Sequence, residues 1–202
     1  GECVAFKAPA AQRGRILILT DPKASAGTSA CLYDYRFANN EYFTVESGLY
    51  VKVEDCNVFR VGDKTVDPMA DGSFEGNVVL RGGADIPAGN YVLHNEDKTS
   101  GQHVEVTCVK GGKEYKKRIG FRSHFNIDNG DYLYITYGKL YAEKDAPAPL
   151  KGDSGEFLRG QYKVGLDIPA GRYDLRYGTA GSVARFAVNK SGSAFFDDDE
   201  LI

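Results

Sequence analysis

From residue 103 to 108 polar and apolar side chains alternate, with Val104, Val106 and Cys108 on one face and His103, Glu105 and Thr107 on the other. A period of two is what a half-buried β-strand requires. A second run, Tyr132-Leu133-Tyr134-Ile135-Thr136-Tyr137, follows Asn129-Gly130, a hairpin-turn signal. Arg15 to Thr20 and the series Cys31, Tyr33, Tyr35 are further candidate strands near the N-terminus. No stretch carries a convincing amphipathic helical period, so the pattern predicts an all-β chain of short strands.

The strongest signal is internal. Ala84-Asp85-Ile86-Pro87-Ala88-Gly89-Asn90-Tyr91-Val92-Leu93 recurs as Leu166-Asp167-Ile168-Pro169-Ala170-Gly171-Arg172-Tyr173-Asp174-Leu175, displaced by 82 residues. Ser47-Gly48-Leu49-Tyr50 and Asn129-Gly130-Asp131-Tyr132 are separated by the same 82. Two unrelated motifs with one offset predict a repeated unit, the first thing to read in such a chain. Adding 82 also places Phe186 and Val188 on positions 104 and 106.

Pro fixes φ and donates nothing to a ladder, Gly permits a tight turn, and Tyr-x-Leu restarts the alternation. The segment around Asp85, Ile86, Pro87, Gly89 and Tyr91, like that around Asp167, Ile168, Pro169, Gly171 and Tyr173, therefore reads as a rigid corner feeding a strand. In the first sixty residues the motif is degraded to Ala8-Pro9-Ala10, where Arg15 to Thr20 would match Asn90 to Asn95 and Cys31, Tyr33 and Tyr35 the strand at 104. Connectors rich in Pro, Asp, Gly and Ser at 67–76 and 148–157 set unit boundaries. The expected organisation is a divergent first unit at 1–67, a complete second at 68–148 and a truncated third at 149–202. Their architecture would be tandem β-sandwich-like, or a related small β form.

Composition narrows the picture. Thirteen Tyr, eleven Phe and 24 Gly, with no Trp, suit strands and tight turns. A net charge of −3 gives no electrostatic reason to expect nucleic acid. No apolar run approaches the length that spans a bilayer. The opening Gly1-Glu2-Cys3-Val4 has neither an initiator Met nor a charged segment leading into an apolar one, which suggests a mature or trimmed chain. Cys3, Cys31, Cys56 and Cys108 lack zinc spacing; two disulfides in any of three pairings, or four reduced thiols, are open.

The Asp-Ile-Pro-Ala-Gly-x-Tyr corner with a Gly-x-Tyr strand downstream resembles repeats of secreted proteins and lipoproteins of Gram-positive bacteria, over residues 78–137 and 160–190. The resemblance implies export and a cell-envelope setting, with a lipid anchor upstream as one means of attachment. It brings no catalytic residues, because the recurring positions are turn and core types.

Candidate chemistry is sparse. Gly152-Asp153-Ser154-Gly155 matches a serine-protease nucleophile segment, but Glu156 stands where a further Gly belongs, and the connector one unit earlier reads Asp71-Gly72-Ser73-Phe74, a plain turn. Asn126 to Asp131 has calcium-loop spacing with Gly130 one residue early, which favours a hairpin turn. His94, His103 and His124 show no convergence, and Asp197 to Glu200 reads as a solvated charged run. Lys110, Lys113, Lys116, Lys117 and Arg118 form a basic cluster suited to an anionic polymer, or else a solubilising edge. The expected role is a non-catalytic binding or adhesion module without a cofactor. Its ligand, on a cell envelope or host surface, would meet Tyr134, Tyr137, Lys113, Lys116, Lys117 and Arg118; a spacer and a hydrolase with an unrecognised site are the alternatives.

Overall fold

The computed structural model describes residues 1–63, 78–96, 104–136 and 138–175, together with Val188. Two groups of strands account for nearly all of its regular structure. The first holds β1 (Glu2–Lys7), β2 (Gly14–Leu19), β3 (Cys31–Phe37), β4 (Asn40–Thr44), β5 (Tyr50–Glu54) and β6 (Cys56–Arg60). The second holds β7 (Val78–Arg81), β8 (Gly89–His94), β9 (Val104–Lys110), β10 (Lys113–Ile119), β11 (Arg122–Ile127), β12 (Tyr132–Ile135) and β13 (Lys139–Ala142), with a 3-10 turn at Glu143–Asp145.

All four sheets are antiparallel. The first group stacks β4-β1-β6 against β3-β2-β5, and the second stacks β11-β8-β13 against β10-β9-β12-β7. Position for position the orders agree, with β7 as an added fourth strand. Cys31–Phe37 and Lys113–Ile119 begin and end 82 residues apart, and the starts of β4 and β11, and of β5 and β12, differ by 82 as well. The first two strands depart from that spacing, and here the expected alignment is corrected. Gly14–Leu19, between β3 and β5, stands where β9 stands, rather than matching 90–95; Cys31, Tyr33 and Tyr35 lie on the counterpart of β10 rather than of β9. Strand pairing, which a local motif comparison cannot see, decides this.

The alternation at 104–108 holds: Val104, Val106 and Cys108 are buried while Glu105 is exposed. They pack with Val78, Leu80, Leu133 and Ile135 against Leu93, Phe125, Ile127 and Leu140 of the facing sheet. The first group closes a smaller core of Ala5, Ile16, Ile18, Phe37 and Phe43. Each buried Val, Leu, Ile or Phe among them contributes about 1.5–3 kcal/mol by leaving water. On β1, however, Val4 and Phe6 point the other way, into a third cluster with Tyr42 and Val79. A central strand apolar on both faces thus serves its own core and the contact with the next group.

The Asn129-Gly130 turn is not a hairpin. β11 pairs with β8 and β12 with β7 and β9, so the turn carries the chain from one sheet to the other. Gly82 threads it: its N–H donates to Asp131 O at 3.0 Å and its carbonyl accepts from Gly130 N at 2.9 Å. A Cβ on Gly82 would lie 2.1 Å from Asp128 O, so only glycine fits. The β9–β10 connection through Gly111 and Gly112, at φ 54° and 78°, is the genuine hairpin.

Candidate functional site

The Pro-Gly corner is where sequence, joint and charge meet. At Arg81–Tyr91, Gly83 N donates to Ile86 O at 2.8 Å, Asp85 N donates to Arg81 O at 2.8 Å, and Asp85 Oδ2 accepts from Arg81 N at 2.6 Å. The Tyr91 hydroxyl then staples the corner by donating to Pro87 O at 2.6 Å. At Lys163–Tyr173 the same bonds recur: Gly165 N to Ile168 O at 2.7 Å, Asp167 N to Lys163 O at 2.8 Å, Lys163 N to Asp167 Oδ2 at 2.8 Å, and Tyr173 hydroxyl to Pro169 O at 2.5 Å. Isolated bridges Gly82–Ile86 and Val164–Ile168 close both.

Each corner aspartate also reaches back to the preceding strands. The Tyr42 hydroxyl on β4 donates to Asp85 Oδ2 at 2.8 Å. Beside it, the Asn40 side-chain amide makes a two-way pair with the backbone of Val79, donating to its carbonyl at 2.6 Å and accepting from its N–H at 2.9 Å. In the second corner the partner of Asp167 is His124 on β11, with Nε2 at 2.5 Å. Ser123 Oγ and His124 N donate to Gln161 Oε1 at 3.1 and 3.0 Å, and Gln161 N donates to Arg122 O at 2.9 Å. Tyr42 and His124, Asn40 and Arg122, Val79 and Gln161 are all 82 residues apart.

The second joint is the more charged. Arg122 and Asp167 meet at 2.5 Å with side chains 3% and 1% exposed. Burial works against the Asp167 carboxylate, yet its bonds from Arg122, the Lys163 amide and His124 hold its pKa below the ordinary value. His124 Nδ1 faces Glu143 at 3.2 Å, and Lys163 Nζ sits 3.0 Å from the same carboxylate. In the first joint a salt bridge between Arg81 and Glu2 at 2.6 Å plays a flanking role, with the Tyr132 hydroxyl donating to Glu2.

Residues singled out for ligand contact are divided between the first joint and the β10 edge. Tyr134 is half-buried against the Val4, Phe6, Tyr42 and Val79 cluster, and burial pushes its hydroxyl up to about 12. It is a joint residue rather than an open face. Tyr137, His103 and Phe186 lie outside the described residues, as do the 67–76 connector and the 197–200 run. Val188 is 48% exposed, unlike Val106, 82 residues earlier, at 1%. On β10, Lys116 pairs with Glu114 at 2.7 Å, Arg118 with Glu105 at 2.8 Å, Lys113 lies 4.8 Å over the Tyr115 ring, and burial lowers the Lys117 pKa. That is the pattern of a charged edge strand. Lys110 bridges Asp128 and Asp131 at 3.1 and 3.3 Å, so a lysine ammonium occupies the calcium-like loop.

Ser154 sits in an exposed turn whose backbone N–H donates to Glu156 Oε2 at 3.0 Å. His94 is buried on β8, where desolvation lowers its pKa. All four cysteines are free thiols, and burial pushes Cys108 up to about 12. No group of three or more His, Cys, Asp or Glu able to hold a metal occurs among the described residues, and no helix there is long and apolar enough to cross a membrane. Sequence reading missed Asn40, Tyr42 and Arg122, for which the 82-residue offset from one joint to the other was the available signal. It also missed the open tyrosines Tyr33 and Tyr50, 55% and 48% exposed. Fold and site define an all-β protein of antiparallel sandwiches joined through buried polar contacts. Family models, curated proteins and solved structures yield no match to this chain.

Proposed function

We propose that this chain is a non-catalytic scaffold segment of the extracellular or cell-surface space, made of tandem β units that derive from one 82-residue repeat and are locked to one another through the corner aspartates. The observation that carries the reading is the paired joint: Tyr42 with Asp85 and His124 with Asp167 do the same task with different chemistry. A scaffold needs such contacts because inter-domain motion is the default unless an interface is substantial and specific. The third apolar cluster, shared by β1, β4 and β7, supports the same conclusion.

Small-angle scattering of the chain beside an Asp85→Ala variant tests the mechanical part. The wild-type profile should fit a single arrangement and the variant a broad distribution; a wild-type chain already as broad as the variant would defeat the reading. The setting is tested by protease shaving of intact cells that produce the protein, where loss of the chain is expected and full protection contradicts an envelope location.

A second reading, a binding module, is favoured by the exposed Leu32, Tyr33, Tyr50 and Val53 of the first group. Such apolar exposure on a small sheet marks contact surfaces more often than isolated residues do.

A further inference from the structure

In the second group β12 is an interior strand, with β9 on one side and β7 on the other. Its counterpart β5 has β2 on one side and, among the described residues, no strand on the other. The side chains register the difference. Leu133 and Ile135 on β12 are 0% and 1% exposed, whereas Val51 is only half-buried and Val53 is 42% exposed. Val78 and Leu80 of β7 complete the larger core, and the smaller core has no equivalent of them among the described residues.

Main-chain polarity agrees. The N–H and C=O of Val79 turn away from β12 to the Asn40 amide, which directs those of Val78 and Leu80 toward β12. The register Leu80 to Leu133 and Val78 to Ile135 then makes these the hydrogen-bonded pairs. Carried back by 82 residues, Val51 and Val53 present their N–H and C=O to the open side of β5. The chain's own counterpart of β7 does not fit there, because Val164 stands in the place of Gly82, where a Cβ would lie 2.1 Å from a carbonyl oxygen.

We propose that β5 is a strand-receiving edge, filled by an extended segment of a partner polypeptide that runs antiparallel to it, carries apolar residues at two alternate positions and closes in glycine, as β7 does. Recognition is by main-chain hydrogen bonds, with the two apolar side chains entering the gap beside Val51 and Val53. Unfilled, the same edge is the aggregation liability that charged strands such as β10 avoid.

The probe is a fluorescein-labelled peptide with the sequence of residues 76–83, Gly-Asn-Val-Val-Leu-Arg-Gly-Gly, titrated against the full chain. Saturable binding is expected below about 1 mM. The same peptide methylated on the Leu80 amide nitrogen, and the Val53→Pro variant with the unmodified peptide, should each bind at least about tenfold more weakly. Proline is tolerated on an edge strand where its nitrogen faces solvent, and if Val53→Pro does not fold the methylated peptide carries the comparison alone. Absence of binding at about 1 mM, equal binding of the methylated peptide, or equal binding by folded Val53→Pro overturns the proposal. Dimerisation of the peptide-free chain that Val53→Pro abolishes would make a second copy the occupant and overturn it too.

Discussion

His124 and Asp167 meet at 2.5 Å across the second joint, both side chains nearly sealed from solvent at 4% and 1% exposure. Arg122 shares the same carboxylate, and among the described residues its guanidinium, 3% exposed, has no other salt-bridge partner. Asp167→Ala should therefore cost about 3–5 kcal/mol at this joint, since an unpaired buried charge is left behind. The analogous Asp85→Ala removes the acceptor shared by two neutral donors, the Tyr42 hydroxyl and the Arg81 amide, and should cost about 1–3 kcal/mol. Amide exchange checks this: the N–H groups of Phe121 and Gln161, which donate to Arg159 O at 3.0 Å and Arg122 O at 2.9 Å, should open in Asp167→Ala and stay closed in Asp85→Ala.

Tyr91 gives a cleaner stability test. Its ring is in the larger core at 8% exposure and its hydroxyl donates to Pro87 O. Tyr91→Phe keeps the ring and loses the bond, which should cost about 0.5–1.5 kcal/mol and lower Tm by a few degrees. Tyr173, 43% exposed, makes the same bond in water, and Tyr173→Phe should change Tm by no more than about 1 °C.

The strands were legible because one face of each meets a core, and a period of two follows directly from that. The corner was legible because Pro and Gly fix its path. What the corner aspartates do was not, since Asp85 acts through Arg81 N four residues back and through Tyr42 forty-three residues back, neither of which leaves a local pattern. The Asn129-Gly130 turn was misread for a related reason: a turn signal says that the chain reverses, while membership of one sheet or the other is settled by partners far away in sequence. Tyr134 looked like a surface residue because polar and apolar faces were assigned within one unit. Its other face is covered by the neighbouring group.

Glu41 predicts a pH dependence of unusual sign. It is half-buried on β4, and desolvation raises its pKa from 4.5 to about 7 against a weaker opposing bond from the Tyr42 amide. Below 4.5 the carboxyl is protonated in both folded and unfolded chains and contributes nothing to the difference. Between 4.5 and 7 the unfolded chain ionises first, so this group's contribution to stability falls as pH rises, and it levels off above 7. Glu41→Gln should stabilise by about 1–2 kcal/mol at pH 8, after allowance for partial exposure, and by nearly nothing at pH 4. Denaturant titrations of both proteins at the two pH values provide the comparison. An equal difference at pH 4 and pH 8 would mean that Glu41 ionises normally.

Gly82 and Val164 occupy the same place in the two corners, yet among the described residues only Gly82 is hydrogen-bonded to a crossing turn. A methyl group at position 82 would meet Asp128 O at 2.1 Å and Ile127 Cγ2 at 2.9 Å, and the backbone on both sides is pinned by Gly130 and Asp131. The clash cannot relax without breaking those two hydrogen bonds, so Gly82→Ala should cost about 1–3 kcal/mol. Val164 is 61% exposed and nothing comparable packs on it among the described residues. Val164→Ala should thus lie within about 0.5 kcal/mol of wild type. Equilibrium unfolding in urea resolves the pair: a large loss at 82 with none at 164 is expected because the corner itself tolerates either side chain and the crossing turn does not. Equal losses would place the demand for glycine in the corner's own backbone.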